Sequence, residues 1–460
     1  MKTIKEALEN IVSKTKVRAA MPGHKGRLAV DPRHDVTELP GMDNLHNPAG
    51  VIQSAQERAA DIYCVASARY LVNGSSGGNL TMIFSFFTEG DEILVERTCH
   101  KSVYNALVLR KLKPVYLWPK LDEYGSTLPV TAVEVEEALQ ANRRVKGVFL
   151  TQPSYKGLVS DLGRIFDVCR NHGASLLIDA AHGAALAGME AFKDFYQSAD
   201  AMVVSTHKSL ACLNQGAVLL NNRAEYTARI LKYSNMFQTT SPSYLIMSSI
   251  ESSLEELAEG EYLSGPGIDL SGFTNLTVNP RQSGFQRDPW KILVILKDQG
   301  GFMEDFLESR GIYPEFHDEH SVLFMLSPKN SSGDLQRIQQ VLMELDDAVS
   351  EILEQAGGSS DMSDRKTGTF EMPAQPVKVF EPHETGEDFE EVRLKDTAGR
   401  IAFEQVTPYP PGIPLLLPGE RIDGSMADYI ERLERMNIEI IGMHGGKLRC
   451  LTGGDGTWAY

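Results

Sequence analysis

Ala201-Met202-Val203-Val204-Ser205-Thr206-His207-Lys208 reads as a short strand that runs into a polar loop. Its four apolar residues do not alternate with polar ones, the pattern of a strand covered on both faces. A second run of this kind, Ala174-Ser175-Leu176-Leu177-Ile178, ends in Asp179. A carboxylate and a lysine therefore stand just past the C-terminal ends of two strands, with one crossover between them. That rim is where open α/β sheets bind ligands. The same pattern extends outward to Tyr70–Val72, Glu92–Val95, Val115–Leu117, Gly147–Leu150 and Ala217–Leu220, with helical stretches between. Residues 224–262 read as helical, interrupted at Thr239-Thr240-Ser241-Pro242. The expected fold class is α/β: a mainly parallel sheet flanked by helices, with a smaller α+β C-terminal domain.

The boundaries expected from composition are an N-terminal helix-and-loop segment over 1–50, a large domain over 51–290 and a small domain over 291–460. Ile4, Leu8, Ile11 and Val12 share one helical face, which predicts a docking helix. Leu335 to Leu353 predicts an amphipathic helix, and residues 356–376, polar and Gly/Ser-rich, a flexible linker. The five cysteines form no CxxC pair, so neither a disulfide framework nor a metal site is indicated, and a cytoplasmic protein is expected. A net charge of −17 argues against nucleic acid or an anionic membrane as partner and mildly favours a cationic substrate. No stretch approaches the roughly 20 apolar residues of a membrane helix.

The rim residues carry the chemistry. Pyridoxal phosphate (PLP) needs a lysine to bond its aldehyde and an acid to keep its pyridine nitrogen protonated, so that the ring can act as an electron sink. Lys208 and Asp179 supply that pair. Asn73-Gly74-Ser75-Ser76-Gly77-Gly78-Asn79 follows a strand and opens a helical run, which suits a phosphate cradle; a Gly-rich turn capped by serine is the structural alternative. His100 stands on the same rim and can stack on a pyridine ring, or simply cap a helix. His182 can orient the carboxylate or the cofactor, or make a local hydrogen bond. Ser205 and His207 can bind phosphate or substrate. Ser154 and Tyr155, in the loop Thr151–Gly157, are expected to shape a substrate pocket. Met21-Pro22-Gly23-His24-Lys25-Gly26 and Asp43-Asn44-Leu45-His46 read as structural loops, with His24 as a further pocket candidate. Thr407–Pro414 is too proline-rich for a helix or strand interior and predicts a rigid extended wall.

Taken together, MPGHKG (21–26), DNLHNPAG (43–50), NGSSGGNL (73–80), ERTCHKS (96–102), TQPSYKG (151–157), IDAAHG (178–183), STHKSL (205–210), TTSPSY (239–244) and TPYPPGIPLL (407–416) resemble the bacterial ornithine/lysine/arginine decarboxylase family. The resemblance implies the aspartate-aminotransferase-like PLP fold and the decarboxylation of a basic amino acid to a polyamine-pathway amine. By matching position, Lys208 would be the Schiff-base lysine, Asp179 the partner of the pyridinium nitrogen and His100 the stacking residue. Ser75, Ser76, Gly77, Ser205 and His207 would surround the phosphate. Thr240 would reach a phosphate from a neighbouring subunit, giving a homodimer with shared active sites. The first matching motif begins at Met21, so the short form without an N-terminal wing domain is expected. Lys208 and His207 both stand as donors of the Cα proton. Arginine, lysine and ornithine remain open as substrates, with arginine favoured by the resemblance. Transamination or another lyase reaction on the same fold, or a weakly catalytic PLP-binding protein, are the alternatives.

Overall fold

The computed structural model describes residues 13–20, 24, 25, 27, 32–355 and 373–452. The expected N-terminal docking helix and most of the expected linker lie outside them. A seven-stranded sheet forms the centre: β1 (Ser67–Leu71), β2 (Glu92–Glu96), β3 (Lys113–Leu117), β4 (Val145–Thr151), β5 (Ser175–Asp179), β6 (Ala201–Val204) and β7 (Ala217–Asn221). The spatial order is β1-β7-β6-β5-β4-β2-β3. β7 runs antiparallel to both neighbours, and the other pairs are parallel. Each of the seven runs legible in the sequence is a strand of this sheet. The side chains of the inner strands are mostly buried because helices cover both faces, which is why most of the runs are continuous rather than alternating; the edge strand Lys113–Leu117 is only half-buried.

One face packs α2 (Gly74–Phe86) and α3 (Lys101–Arg110) over Leu71, Val95, Phe149, Leu177 and Val203. The opposite face packs α1 (Val51–Tyr63), the helix Leu162–Asn171 and the helix Tyr244–Ala258. The helical stretch expected over 224–262 is split into Thr227–Phe237 and Tyr244–Ala258, with the Thr239–Pro242 break between them.

A second, four-stranded sheet joins Thr277–Val278, Lys291–Ile295, Ser321–Met325 and Phe316–His317. Helices Gly300–Ser309 and Ser332–Gln355 accompany it. The chain's first described strand, Val17–Ala19, pairs in parallel with Ile312–Pro314 as a separate two-stranded sheet, so the N-terminal segment is fastened beside the helix Gly300–Ser309. Residues 377–451 gather a separate core around Ile422, Met426, Ile430 and Leu448, with the helix Gly424–Arg435 over short antiparallel pairs. No helix among the described residues is long and apolar enough to cross a membrane. All five cysteines are free.

Candidate active site

The parallel register brings the C-terminal ends of β2, β4, β5 and β6 to one rim. Thr151 on β4 pairs with Asp179 on β5, and Asp179 pairs with Val203 on β6. Just past β6 the chain turns into a single helical turn, Thr206–Ser209, that carries Lys208. A cavity of about 770 Å³ opens over this rim, and Ser75, Ser76, His100, Asp179, His182 and Lys208 all line it.

Asp179 is buried and held from two sides. Its Oδ1 accepts the Ala181 N–H at 3.1 Å and its Oδ2 accepts Asn79 Nδ2 at 2.7 Å. The same Asn79 amide donates to Ser102 Oγ at 3.0 Å, and Ser102 Oγ lies 2.9 Å from His100 Nδ1. The Ser102 backbone N–H also donates to His100 Nδ1, at 3.2 Å. Because an N–H can only donate, Nδ1 is the acceptor and the neutral His100 ring carries its proton on Nε2. Burial pushes the His100 pKa down to about 4, against the pull of Asp179. His100 is thus the cap of α3 and a cavity residue at once.

Lys208 Nζ lies 3.1 Å from His182 Nε2. An ammonium can only donate, so while Lys208 is charged His182 accepts there and its proton sits on Nδ1. That Nδ1 is buried without a partner among the described residues. Burial lowers the pKa of His182 well below the usual histidine range, and the neighbouring Lys208 adds to this. Burial also lowers the Lys208 pKa, opposed by Asp179 and Glu315, which makes its amine easier to deprotonate. His207 donates from Nδ1 to Gly216 O at 2.8 Å, leaving Nε2 as a bare acceptor, and burial holds its pKa at about 4.

The anion end is built by α2. It starts at Gly74, which has φ +72°; the Gly74 N–H donates to Gln215 O at 2.9 Å, and no side chain caps the turn that follows, which carries the Ser75 and Ser76 hydroxyls. The serine cap of the structural alternative does not form. Gly77, expected at the phosphate, faces the other way: a Cβ there would approach Asn73 Cβ and Phe237 O, both at 3.6 Å, and Gly77 is not on the cavity wall. Ser205 is fully buried behind the wall, its Oγ without a partner among the described residues. Thr240 is exposed and off the wall of this chain. His24 does not line the cavity either; its neighbour Lys25 is buried instead, donating to Ala20 O and Met325 O, both at 2.7 Å.

Ser154 and Tyr155 line the cavity as expected, and the second sheet holds their loop. Tyr155 OH donates to Glu315 Oε1 at 2.9 Å, and its ring meets His182 edge-on with centroids 5.0 Å apart. Lys156 pairs with Asp318 at 2.6 Å. Buried Lys291 donates to Ser154 O and Tyr155 O. The proline-rich stretch lines the cavity, with Pro408, Tyr409, Pro410, Pro411, Ile413 and Pro414 closing one side, but it is not the strand-free extended run expected: Thr407–Tyr409 pairs with Glu439–Ile441 in a two-stranded ribbon, whose edge tolerates Pro408, and the chain then turns at Pro410-Pro411. Glu96, Glu315 and Asn79 were not legible as site residues. Glu96 lines the cavity, its carboxyl accepting Thr151 N–H and Thr98 Oγ1, and burial raises its pKa to about 7. No periodicity or spacing marks a lone Glu or Asn as facing a cavity.

The residues present fit PLP. The cavity residue His182 has a buried Nδ1 with no partner among the described residues, in a niche that already holds a paired carboxylate, a lysine of lowered basicity and a helix start without a side-chain cap. Comparison with known proteins agrees. A Bacillus subtilis protein named "Uncharacterized protein YaaO" is 35% identical over 89% of this chain and 87% of its own length. An arginine decarboxylase of Bacillus subtilis is 28% identical over 92% of this chain and 91% of its own. The solved structure of lysine decarboxylase A from Pseudomonas aeruginosa superposes with a TM-score of 0.74 at 21% identity, covering 91% of this chain and 74% of that one; it shares the fold. Residues 4–264 match the pattern described as "Orn/Lys/Arg decarboxylase, major domain" and residues 362–445 that of the family's C-terminal domain, so this chain belongs to the Orn/Lys/Arg decarboxylase family.

Proposed function

We propose that this chain removes the α-carboxylate of a basic amino acid, arginine first among the three candidates, with PLP seated at the rim. The observation that carries the reading is the convergence of Lys208, Asp179, His100 and His182 in one cavity whose anion end is the start of α2. When bound, the cofactor supplies an electron sink for the bond broken at the α-carbon.

The chain's own residues set the rest. Lys208 is the amine for the aldehyde. Asp179, fixed by Asn79 and the Ala181 amide, is the acceptor for the proton of the ring nitrogen. Ser75, Ser76 and the first turn of α2 hold the phosphate. His100, neutral and anchored through Nδ1, offers a flat face. The apolar proline wall excludes water from the bond being broken. Of the two Cα proton donors considered, the geometry favours Lys208: His207 spends its one ring proton on Gly216 O. Family resemblance supports a homodimer in which Thr240 of each subunit reaches the other's phosphate end, and a cytoplasmic setting.

The test is direct. PLP-loaded protein is incubated with arginine, lysine and ornithine, and CO2 and amine are measured. Release of CO2 with the matching amine supports the reading. Keto-acid formation without CO2 would replace it with transamination, and no turnover of any amino acid would replace it with cofactor binding alone.

A further inference from the structure

Arg97 follows β2 and ends in a closed box. Its guanidinium carbon lies 5.5, 5.7 and 5.2 Å from the ring centroids of Tyr104, Tyr116 and Trp118. The polar edge reaches more than three hundred residues along the chain. NH1 donates to Pro414 O at 2.6 Å, and NH2 donates to Leu415 O at 3.1 Å and to Glu420 Oε2 at 3.0 Å. Glu420 Oε2 also accepts the Leu417 N–H at 2.7 Å. The two charged side chains are 3% and 1% exposed. Leu417 is buried within the core beneath α2 and α3, not in the core of its own C-terminal unit.

A fastening alone does not require this chemistry. Arg97 Nε and Glu420 Oε1 are buried with no partner among the described residues, so the pair is incompletely compensated. Apolar side chains of similar volume often hold two units together as well as such a pair does. What they cannot do is grip two successive carbonyls at fixed register, as a guanidinium fork can. The gripped carbonyls, 414 and 415, end the wall that closes the cavity. Two residues earlier, Gly412 O accepts the Lys101 N–H at 3.0 Å, at the start of α3. Gly412 has φ +84°, and a Cβ there would stand 3.1 Å from both Cδ2 and Nε2 of His100.

We propose that Arg97 is a positioning residue for the active site: with Glu420 it sets the register of residues 408–415, so that Gly412 backs the His100 ring and the proline wall closes on the cavity. This rests on the reading of the cavity as the PLP and amino-acid site. It assigns the C-terminal unit a part in the chemistry that no residue of that unit carries alone.

The experiment is a double-mutant cycle on the PLP-loaded protein with Arg97→Met, Glu420→Met and the pair combined. Each single variant leaves a buried charge unpaired and is expected to lower Tm; the double variant is expected to regain most of the loss. Positioning predicts that the double variant still loses PLP faster on dialysis, exchanges the Lys101 amide proton faster and falls in kcat/KM by about 10²-fold, the scale of an ångström-level misplacement. A double variant that regains Tm together with wild-type PLP release and Lys101 exchange overturns the proposal and leaves Arg97 a fastening only. If the double variant does not fold, Gly412→Ala decides: its φ of +84° strains any Cβ, so Tm is expected to fall, and faster PLP release measured well below that Tm supports the proposal while unchanged release overturns it. A wild-type protein that retains no PLP would refute the proposed function instead, and Lys101 exchange in the Arg97 and Gly412 variants would still decide whether the latch sets the wall.

Discussion

Asn79 carries more of the site than its place in a glycine-rich loop suggests. One amide nitrogen donates to Asp179 and to Ser102, and Ser102 holds His100, so the carboxylate and the flanking imidazole share a support. Asn79 Oδ1 is left buried with no partner among the described residues, a cost of about 1–3 kcal/mol. Such a cost persists where aiming the other end of the side chain matters. Asn79→Ala removes a bond to a charged acceptor, worth about 1.5–3 kcal/mol. If that bond is felt fully in the transition state, kcat/KM falls about 10–100-fold. Asn79→Asp is predicted to lose more than Ala, because it places a second carboxylate against Asp179 and raises the pair's affinity for a proton. Steady-state rates together with the pH dependence of the bound cofactor's absorbance separate the two variants; equal losses would show that only the shape of Asn79 matters. Lys208→Ala is predicted to abolish both turnover and the visible absorbance of bound PLP. Lys208 and Asp179 were legible because a polar residue at the end of a buried strand stands out. Asn79 was not, since its two partners, Asp179 and Ser102, lie on two other elements.

At the scale of elements, the legible features were those with a one-dimensional signature. Strands covered on both faces read as continuous apolar runs, and most of the seven were visible as such. The break at Thr239–Pro242 was visible through backbone restriction; the prolines of 407–414 were too, but not the edge strand Thr407–Tyr409 and the turn after it. The direction in which Gly77 faces was not, because it depends on how α2 rolls against the sheet. Gly78 sets that roll: a Cβ there would stand 2.4 Å from Val203 Cγ2 and 2.9 Å from Leu71 Cδ1. α2 consequently lies close on the sheet and points its uncapped start, with Ser75 and Ser76, at the rim. Gly78→Ala is predicted to cost about 1–3 kcal/mol by overpacking and to weaken PLP retention as α2 lifts. Combining it with Val203→Ala makes room for the methyl group and should recover part of both losses, read by thermal melts and dialysis. A Gly78→Ala protein with wild-type Tm and retention would show that the helix has slack.

Across the whole molecule, most of what completes the site joins distant parts of the chain, and a sequence carries no mark of such pairings. Arg97 meets Glu420, Tyr155 meets Glu315, and Lys291 meets the carbonyls of 154 and 155. The second sheet thereby holds the substrate loop through a buried lysine, which has a consequence for stability. Burial lowers the pKa values of Lys291 and Lys25 to about 7, with Asp288 opposing the shift at Lys291 and Glu315 opposing it at Lys25. Unfolded lysine titrates near 10.4. Between those values the folded protein binds fewer protons than the unfolded chain, so stability rises with pH from about 7 upward, by as much as about 1.4 kcal/mol per pH unit for each lysine. The four buried cysteines act in the opposite sense: burial raises their thiol pKa values, so the unfolded chain releases those protons first, from the ordinary thiol range near pH 8.5–9. The rise is therefore expected between pH 7 and about 8.5. Urea unfolding at those two pH values should show a higher midpoint at the upper one. Lys291→Met should be less stable overall, because it strands two carbonyls, yet show a shallower rise. A wild-type midpoint that falls across this interval, or a Lys291→Met slope equal to that of the wild type, would mean that this lysine stays charged where it is buried.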